Sequence, residues 1–111
     1  MSLSIKLKKN ASIQEIESVL ANYKPAIREL SSLPSAPAAF IQVRAEPNRP
    51  QPRLDRDTGR GYTTIVGRVR PDPINTVKMQ VLSHNTVMGA AGSSILNAEL
   101  AAVKGLLHHK S

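Results

Sequence analysis

Four polar residues, Ser83, His84, Asn85 and Thr86, stand just before a run of very small ones, Gly89, Ala90, Ala91 and Gly92. Side chains that stop at a hydrogen or a methyl let another surface come close to the backbone. A helix opening at that point presents unpaired amides and the positive end of its dipole. The pattern suits one edge of a cofactor site. Tight packing of a helix on a sheet asks for the same small residues, so size alone does not separate the two readings. His84 is the right residue type for a general base, but a base needs a nucleophile to serve. The chain has no cysteine and no serine in a strained turn, which leaves His84 a structural or supporting role. The pair His108 and His109 is adjacent in sequence, and neighbours on a helix do not face one another, so the pair reads as surface and no metal site is expected.

A second charged constellation runs from Arg49 to Arg60. Arg53, Asp55, Arg56 and Asp57 have the types for carboxylate–guanidinium pairs, within the subunit or across an interface. Carboxylates that work as acid and base are not normally interleaved with three arginines, so structure is the better reading of this loop.

The elements that position these residues follow from periodicity. Leu3, Ile5 and Leu7 alternate with polar neighbours, as in a half-buried strand. Ser12 to Glu15 fits a capping box, and Ile13, Ile16, Val19, Leu20 and Tyr23 then form one helical stripe that Pro25 ends. LPSAP at 33–37 reads as a loop, and Phe40 to Arg44 as a short strand. Residues 46–61, with prolines at 47, 50 and 52, read as a long irregular loop of a length that is often functional. Tyr62 to Arg70 and Thr76 to Ser83 read as antiparallel neighbours joined by the stiff Pro71-Asp72-Pro73. The last helix starts around Gly89, with Leu96, Leu100, Val103 and Leu107 on one face.

Composition narrows the classes. The 111 residues allow one domain, and a hydrophobic share of 41% argues against disorder. Phe40, Tyr23 and Tyr62 are the only aromatics, so the core is aliphatic and base stacking on single-stranded nucleic acid is disfavoured. The net charge of +7 and a pI near 10.3 suggest nucleic acid, yet the arginines of the middle segment alternate with Glu46, Asp55, Asp57 and Asp72. Absence of cysteine excludes disulfides and thiolate metal sites within these residues. No stretch is apolar enough to span a bilayer or to form a signal peptide, so no membrane and a cytoplasmic location are expected.

The segments RPQPRLDRDTGRG, VGRVRPDP and SHNTVMGAAG together closely resemble the C-terminal part of aspartate-semialdehyde dehydrogenase, in its archaeal and fungal branch. The resemblance implies an α+β domain with a mixed, largely antiparallel sheet packed by helices. It also implies a last helix that returns to the family's Rossmann domain. On that reading, residues 1–84 are part of the dimerisation and substrate domain, and residues 85–111 are the cofactor-proximal loop and returning helix. The family makes aspartate semialdehyde from β-aspartyl phosphate with NADPH, on the route to lysine, threonine and methionine. Asn85 matches its cofactor-contacting asparagine, and Gly89 and Ala90 match the small residues beside the nicotinamide. Met88 stands where several relatives carry a basic residue. The family's catalytic histidine sits in a glycine-histidine motif upstream, so His84 does not match it.

These matches lead to an expectation of a C-terminal piece of the enzyme. It would oligomerise as a dimer or tetramer and partner a missing nucleotide-binding domain. Without the nucleophilic cysteine it would be inactive alone. Leu96, Leu100, Val103 and Leu107 would lack their partner surface, at roughly 1.5–3 kcal/mol each, so the helix would detach, swap to another chain or pair with its copy. The alternative is a small basic α+β RNA-binding protein, resting on charge and on reading Gly89 to Gly92 as a GXXG loop, although that loop normally carries basic residues.

Overall fold

A computed structural model of the chain describes residues 1–107, so the His108–His109 pair lies outside the described residues. Four strands, β1 (Ser2–Ile5), β2 (Ile41–Arg44), β3 (Thr64–Pro71) and β4 (Val77–Leu82), form one sheet in the order β1-β4-β3-β2. β4 runs antiparallel to both β1 and β3, while β2 is parallel to β3, which makes the sheet mixed and largely antiparallel. Asp72 closes the β3–β4 turn by accepting from the Ile74 amide at 3.0 Å, and it also takes the Ser4 hydroxyl, tying β1 to that turn. β3 carries a bulge between Gly67 and Arg70, where Arg68 adopts a left-handed φ of 52°.

Period-two alternation sends Leu3, Ile5, Ile41, Val66, Val77, Met79 and Val81 to one face of the sheet, beneath α1 (Ile13–Ala21). α1 begins with the expected capping box: the Glu15 amide donates to Ser12 Oγ at 3.1 Å and the Ser12 amide to Glu15 Oε2 at 2.9 Å. Only part of its stripe is covered. Ile13, Ile16 and Leu20 pack on the sheet, whereas Val19 is 71% exposed and Tyr23 49%. Beside α1 the sheet is left with an open apolar groove of about 760 Å³.

The opposite face holds the segment expected to be irregular. Residues 46–61 contain a single turn of helix, α2 (Pro52–Asp55), and a 3₁₀ segment at Thr58–Gly61. Their organiser is Asp55, fully buried. Its carboxylate accepts from Arg49 Nε at 2.8 Å, from Arg49 Nη2 and from the Gln51 amide at 2.7 Å, with Arg44 Nη2 at 3.3 Å. Of the pairs expected among Arg53, Asp55, Arg56 and Asp57, Asp55 makes none with Arg53 or Arg56 within this chain. Those side chains are exposed, and Arg56 reaches only Asp57, at 3.7 Å. A guanidinium six residues upstream, and one from β2, reach the carboxylate because α2 turns it inward. Gly67 completes the fit, since a Cβ there would collide with the Arg49 carbonyl of the overlying loop.

A second cluster, Leu33, Tyr62 and Leu96 with Leu30, Phe40, Val87, Met88 and Leu100 around it, seats the last helix, α3 (Gly92–Val103). The sequence gives no sign of the 3₁₀ turn at Arg28–Ser32 that supplies Leu30. Gly92 meets the ring of Tyr62 so closely that a Cβ would lie 2.9 Å from Cε1 and 2.6 Å from the Val87 carbonyl oxygen. Glu99 on α3 grips Ser35, accepting from its hydroxyl at 2.6 Å and its amide at 3.1 Å. The helix is therefore docked on its own chain, contrary to the expectation that it detaches. It ends at Val103, earlier than expected, in a Schellman closure: Gly105 at φ 70° donates to Ala102 and Leu106 to Ala101. Of the expected face, Leu96 and Leu100 point inward, while Val103 and Leu107 are 58% and 59% exposed. The result is elongated, with a radius of gyration of 16.3 Å against about 13 Å for a compact chain of this length.

The arginines beside Asp55 hold its carboxyl down from 3.8 to about 2, Arg49 contributing most. Because the folded value is the lower one, the stabilisation is present above 3.8 and is lost as pH falls through about 2. We expect Asp55→Ala to cost about 3 kcal/mol in urea unfolding at pH 7, and to flatten the loss of stability between pH 4 and 2 that the unsubstituted chain shows. Gly92→Ala should cost about 1–3 kcal/mol by overpacking against Tyr62, measured the same way.

Candidate functional site

The polar cluster and the small-residue run form one short structure at the end of β4. Val87–Ala91 is a π-helical segment leading directly into α3. Its bonds are of the i to i−5 type: the Gly89 amide donates to the His84 carbonyl at 3.1 Å and the Ala91 amide to the Thr86 carbonyl at 3.0 Å, with Gly92 donating to Val87. Widened turns of this kind recur at functional sites. They also correct one expectation. The helical structure opens at Val87, two residues before Gly89, and the amides of Gly89, Ala91 and Gly92 are spent inside it.

His84 braces the start of this segment. Its Nδ1 accepts the Val87 amide at 3.3 Å and lies 3.0 Å from the Thr86 hydroxyl. Sequence reasoning placed His84 as a structural or supporting residue, without naming this bond. The N-cap position of the segment is Thr86 and Val87 is its first residue, so ordinary capping spacing carried no signal for this bond.

Asn85, Gly89 and Ala90 are all exposed, and they are contiguous. The Asn85 side chain lies over Gly89, with Oδ1 3.1 Å from the point a Cβ on residue 89 would occupy. The two glycines of the run thus have different duties. Gly92 is buried and serves tight packing, whereas Gly89 and Ala90 leave a low ridge open to a ligand or another surface. Met88 turns away from this ridge into the Leu33–Tyr62–Leu96 cluster, and Ser93 Oγ donates to its carbonyl. A GXXG loop is ruled out by the same geometry, because Gly89 to Gly92 are helical and do not form a loop. Among the described residues no three histidine, cysteine or acidic side chains converge on a metal-sized point, and no helix is long and apolar enough to cross a membrane.

Comparison with known proteins gives a consistent picture. Residues 1–88 match the family model described as semialdehyde dehydrogenase, dimerisation domain. The chain is 48% identical over 110 residues to an aspartate-semialdehyde dehydrogenase of Aspergillus fumigatus, covering 96% of this chain and 30% of that protein. It is also 48% identical to one from Archaeoglobus fulgidus, over 86% of this chain and 26% of that protein. Among solved structures it resembles aspartate semialdehyde dehydrogenase with NADP from Candida albicans, with a TM-score of 0.78 and 43% identity, over 91% of this chain and 28% of the other. The chain spans about 30% of the length of the curated relatives it matches. Nothing in these matches supports an RNA-binding protein. A four-stranded mixed sheet with helices, an overall fold shared with that neighbour, and a family match over most of the sequence together show that this chain belongs to the semialdehyde dehydrogenase family and carries its dimerisation domain.

Proposed function

We propose that these residues serve aspartate-semialdehyde dehydrogenase, the enzyme that reduces β-aspartyl phosphate to aspartate semialdehyde with NADPH in the synthesis of lysine, threonine and methionine. Within that activity they supply the oligomeric contact and one edge of the cofactor site. The observation that carries the reading is the match of residues 1–88 to the dimerisation domain, in a chain nearly half identical to fungal and archaeal enzymes of that name. Residues 1–84 form the dimerisation portion, and residues 85–111 form the cofactor-proximal turn and the helix that meets the nucleotide-binding domain. Asn85 donates to NADP, and Gly89 and Ala90 let the nicotinamide side approach closely.

Two surface features agree with this division. The apolar groove beside α1 and the exposed Val19 lie on the sheet portion, while Ile95, Val103 and Leu106 stand outward on and after α3. The first suits contact between protein surfaces, and the second suits a helix that has a further surface to cover. The partners are a second subunit, in a dimer or tetramer, and the family's nucleotide-binding domain. The setting is the cytoplasm.

The chemistry belongs to the complete assembly. An acyl-enzyme thioester needs a thiolate, and these 111 residues hold no cysteine. The purified chain is therefore expected to show no NADPH oxidation with the acyl phosphate, and measurable turnover would overturn this division of labour. Light scattering behind a sizing column should give a dimer or tetramer that is indifferent to salt and free of 260-nm material. A monomer carrying nucleic acid that salt removes would count against the whole reading.

A further inference from the structure

Asn85 is the residue that the proposed function places against the cofactor, yet among the described residues no hydrogen bond holds its side chain. What fixes it is the backbone turn on which it rides, and one residue closes that turn from both sides. The His84 carbonyl accepts the Gly89 amide at 3.1 Å, and the His84 ring accepts the Val87 amide at 3.3 Å while lying 3.0 Å from the Thr86 hydroxyl. The turn therefore wraps Asn85 between two bonds to its own predecessor. Gly89 is brought back under Asn85, so that Oδ1 rests 3.1 Å from where a Cβ would stand.

The carbonyl bond is available to any residue at position 84. The ring bond requires an acceptor on a side chain that can curl back three residues. Histidine, asparagine and aspartate meet that demand, and alanine does not. Without it the Val87 amide loses its partner at the start of the π-helical segment, and the turn is held by the backbone alone.

We infer that His84 is a positioning residue: its Nδ1, acting as the acceptor for the Val87 amide, sets the orientation in which the Asn85 amide faces the cofactor. The inference rests on the reading of Asn85 as a cofactor contact, but the geometric half of it is testable without cofactor. The substituted side chain, His84, is not among those packed on the Tyr62 cluster, so the fold should survive the substitutions used.

The test is nuclear magnetic resonance on the isotope-labelled chain, comparing the unsubstituted protein with His84→Ala and His84→Asn. In the absence of ligand, His84→Ala should lower Val87 amide protection at least tenfold and average the Asn85 χ1 couplings. Amides of Leu96 and Val66 should be unaffected, and His84→Asn should restore both properties. Titration with NADP⁺ to millimolar concentration should then move the Asn85 side-chain amide in the unsubstituted chain and in His84→Asn, and not in His84→Ala. Unchanged Val87 protection and Asn85 couplings in His84→Ala would overturn the inference. If those change as expected but NADP⁺ leaves the Asn85 side-chain amide of the unsubstituted chain unmoved, the positioning stands and the assignment of Asn85 to the cofactor falls. Equal loss of protection at Leu96 would show that His84 merely holds the fold, which also overturns the inference.

Discussion

Contact between the Tyr62 ring and the bare Cα of Gly92 is the constraint on which the rest of this structure depends. Both residues are buried, and neither a larger residue at 92 nor a smaller one at 62 would keep the distance. Through it α3 takes its seat, Leu96 enters the cluster with Leu33, and Glu99 reaches Ser35. The segment that begins α3 also carries the exposed ridge of Asn85, Gly89 and Ala90. A packing contact on the inner side of the helix thus decides where a candidate binding surface lies on its outer side.

Tyr62 itself is placed by what precedes it. The buried Asp55 carboxylate draws Arg49 and Arg44 together and presses residues 46–61 onto the sheet at Gly67. A buried charge is tolerated there because Arg49, Arg44 and the Gln51 amide neutralise and satisfy it, and loss of the carboxylate would leave the Arg49 guanidinium without its anion. Gly59 and Gly61, with φ of 59° and 85°, then turn the chain sharply enough to enter β3 with Tyr62 facing the cluster. Gly61 also borders Val87, so the same turn touches the start of the helical segment it helps to seat. The sequence from Asp55 through Tyr62 to Gly92 is one continuous mechanical path from the charged loop to the ridge.

Division of the molecule into a half-covered sheet and a half-covered helix fits a domain that works inside a larger assembly. An isolated soluble chain seldom leaves Val19 exposed beside an open apolar groove, or Ile95 and Val103 exposed on its last helix, since extended apolar surface is normally covered. The radius of gyration, larger than a compact chain would have, expresses the same fact. Membership of the semialdehyde dehydrogenase family, by way of its dimerisation domain, gives those surfaces a purpose.

Local rules were enough to read much of this protein from its residues. The capping box at Ser12, the alternation of Leu3 and Ile5, the antiparallel pair around Pro71-Asp72-Pro73, and the polar cluster followed by small residues all depend on neighbours within a few positions. The family motifs were legible for the same reason, being contiguous. What the tertiary structure alone decided involves partners far apart in the chain. Asp55 chose Arg49 and Arg44 over the nearer Arg53 and Arg56, because α2 turns the carboxylate inward while those two side chains point to solvent. Gly92 became a packing residue and Gly89 an exposed one, though both stand in the same four-residue run, because only Gly92 meets Tyr62, thirty positions earlier. Periodicity specifies which residues share a face, but the surface that a face meets is set by the fold, where distant side chains compete for the same space.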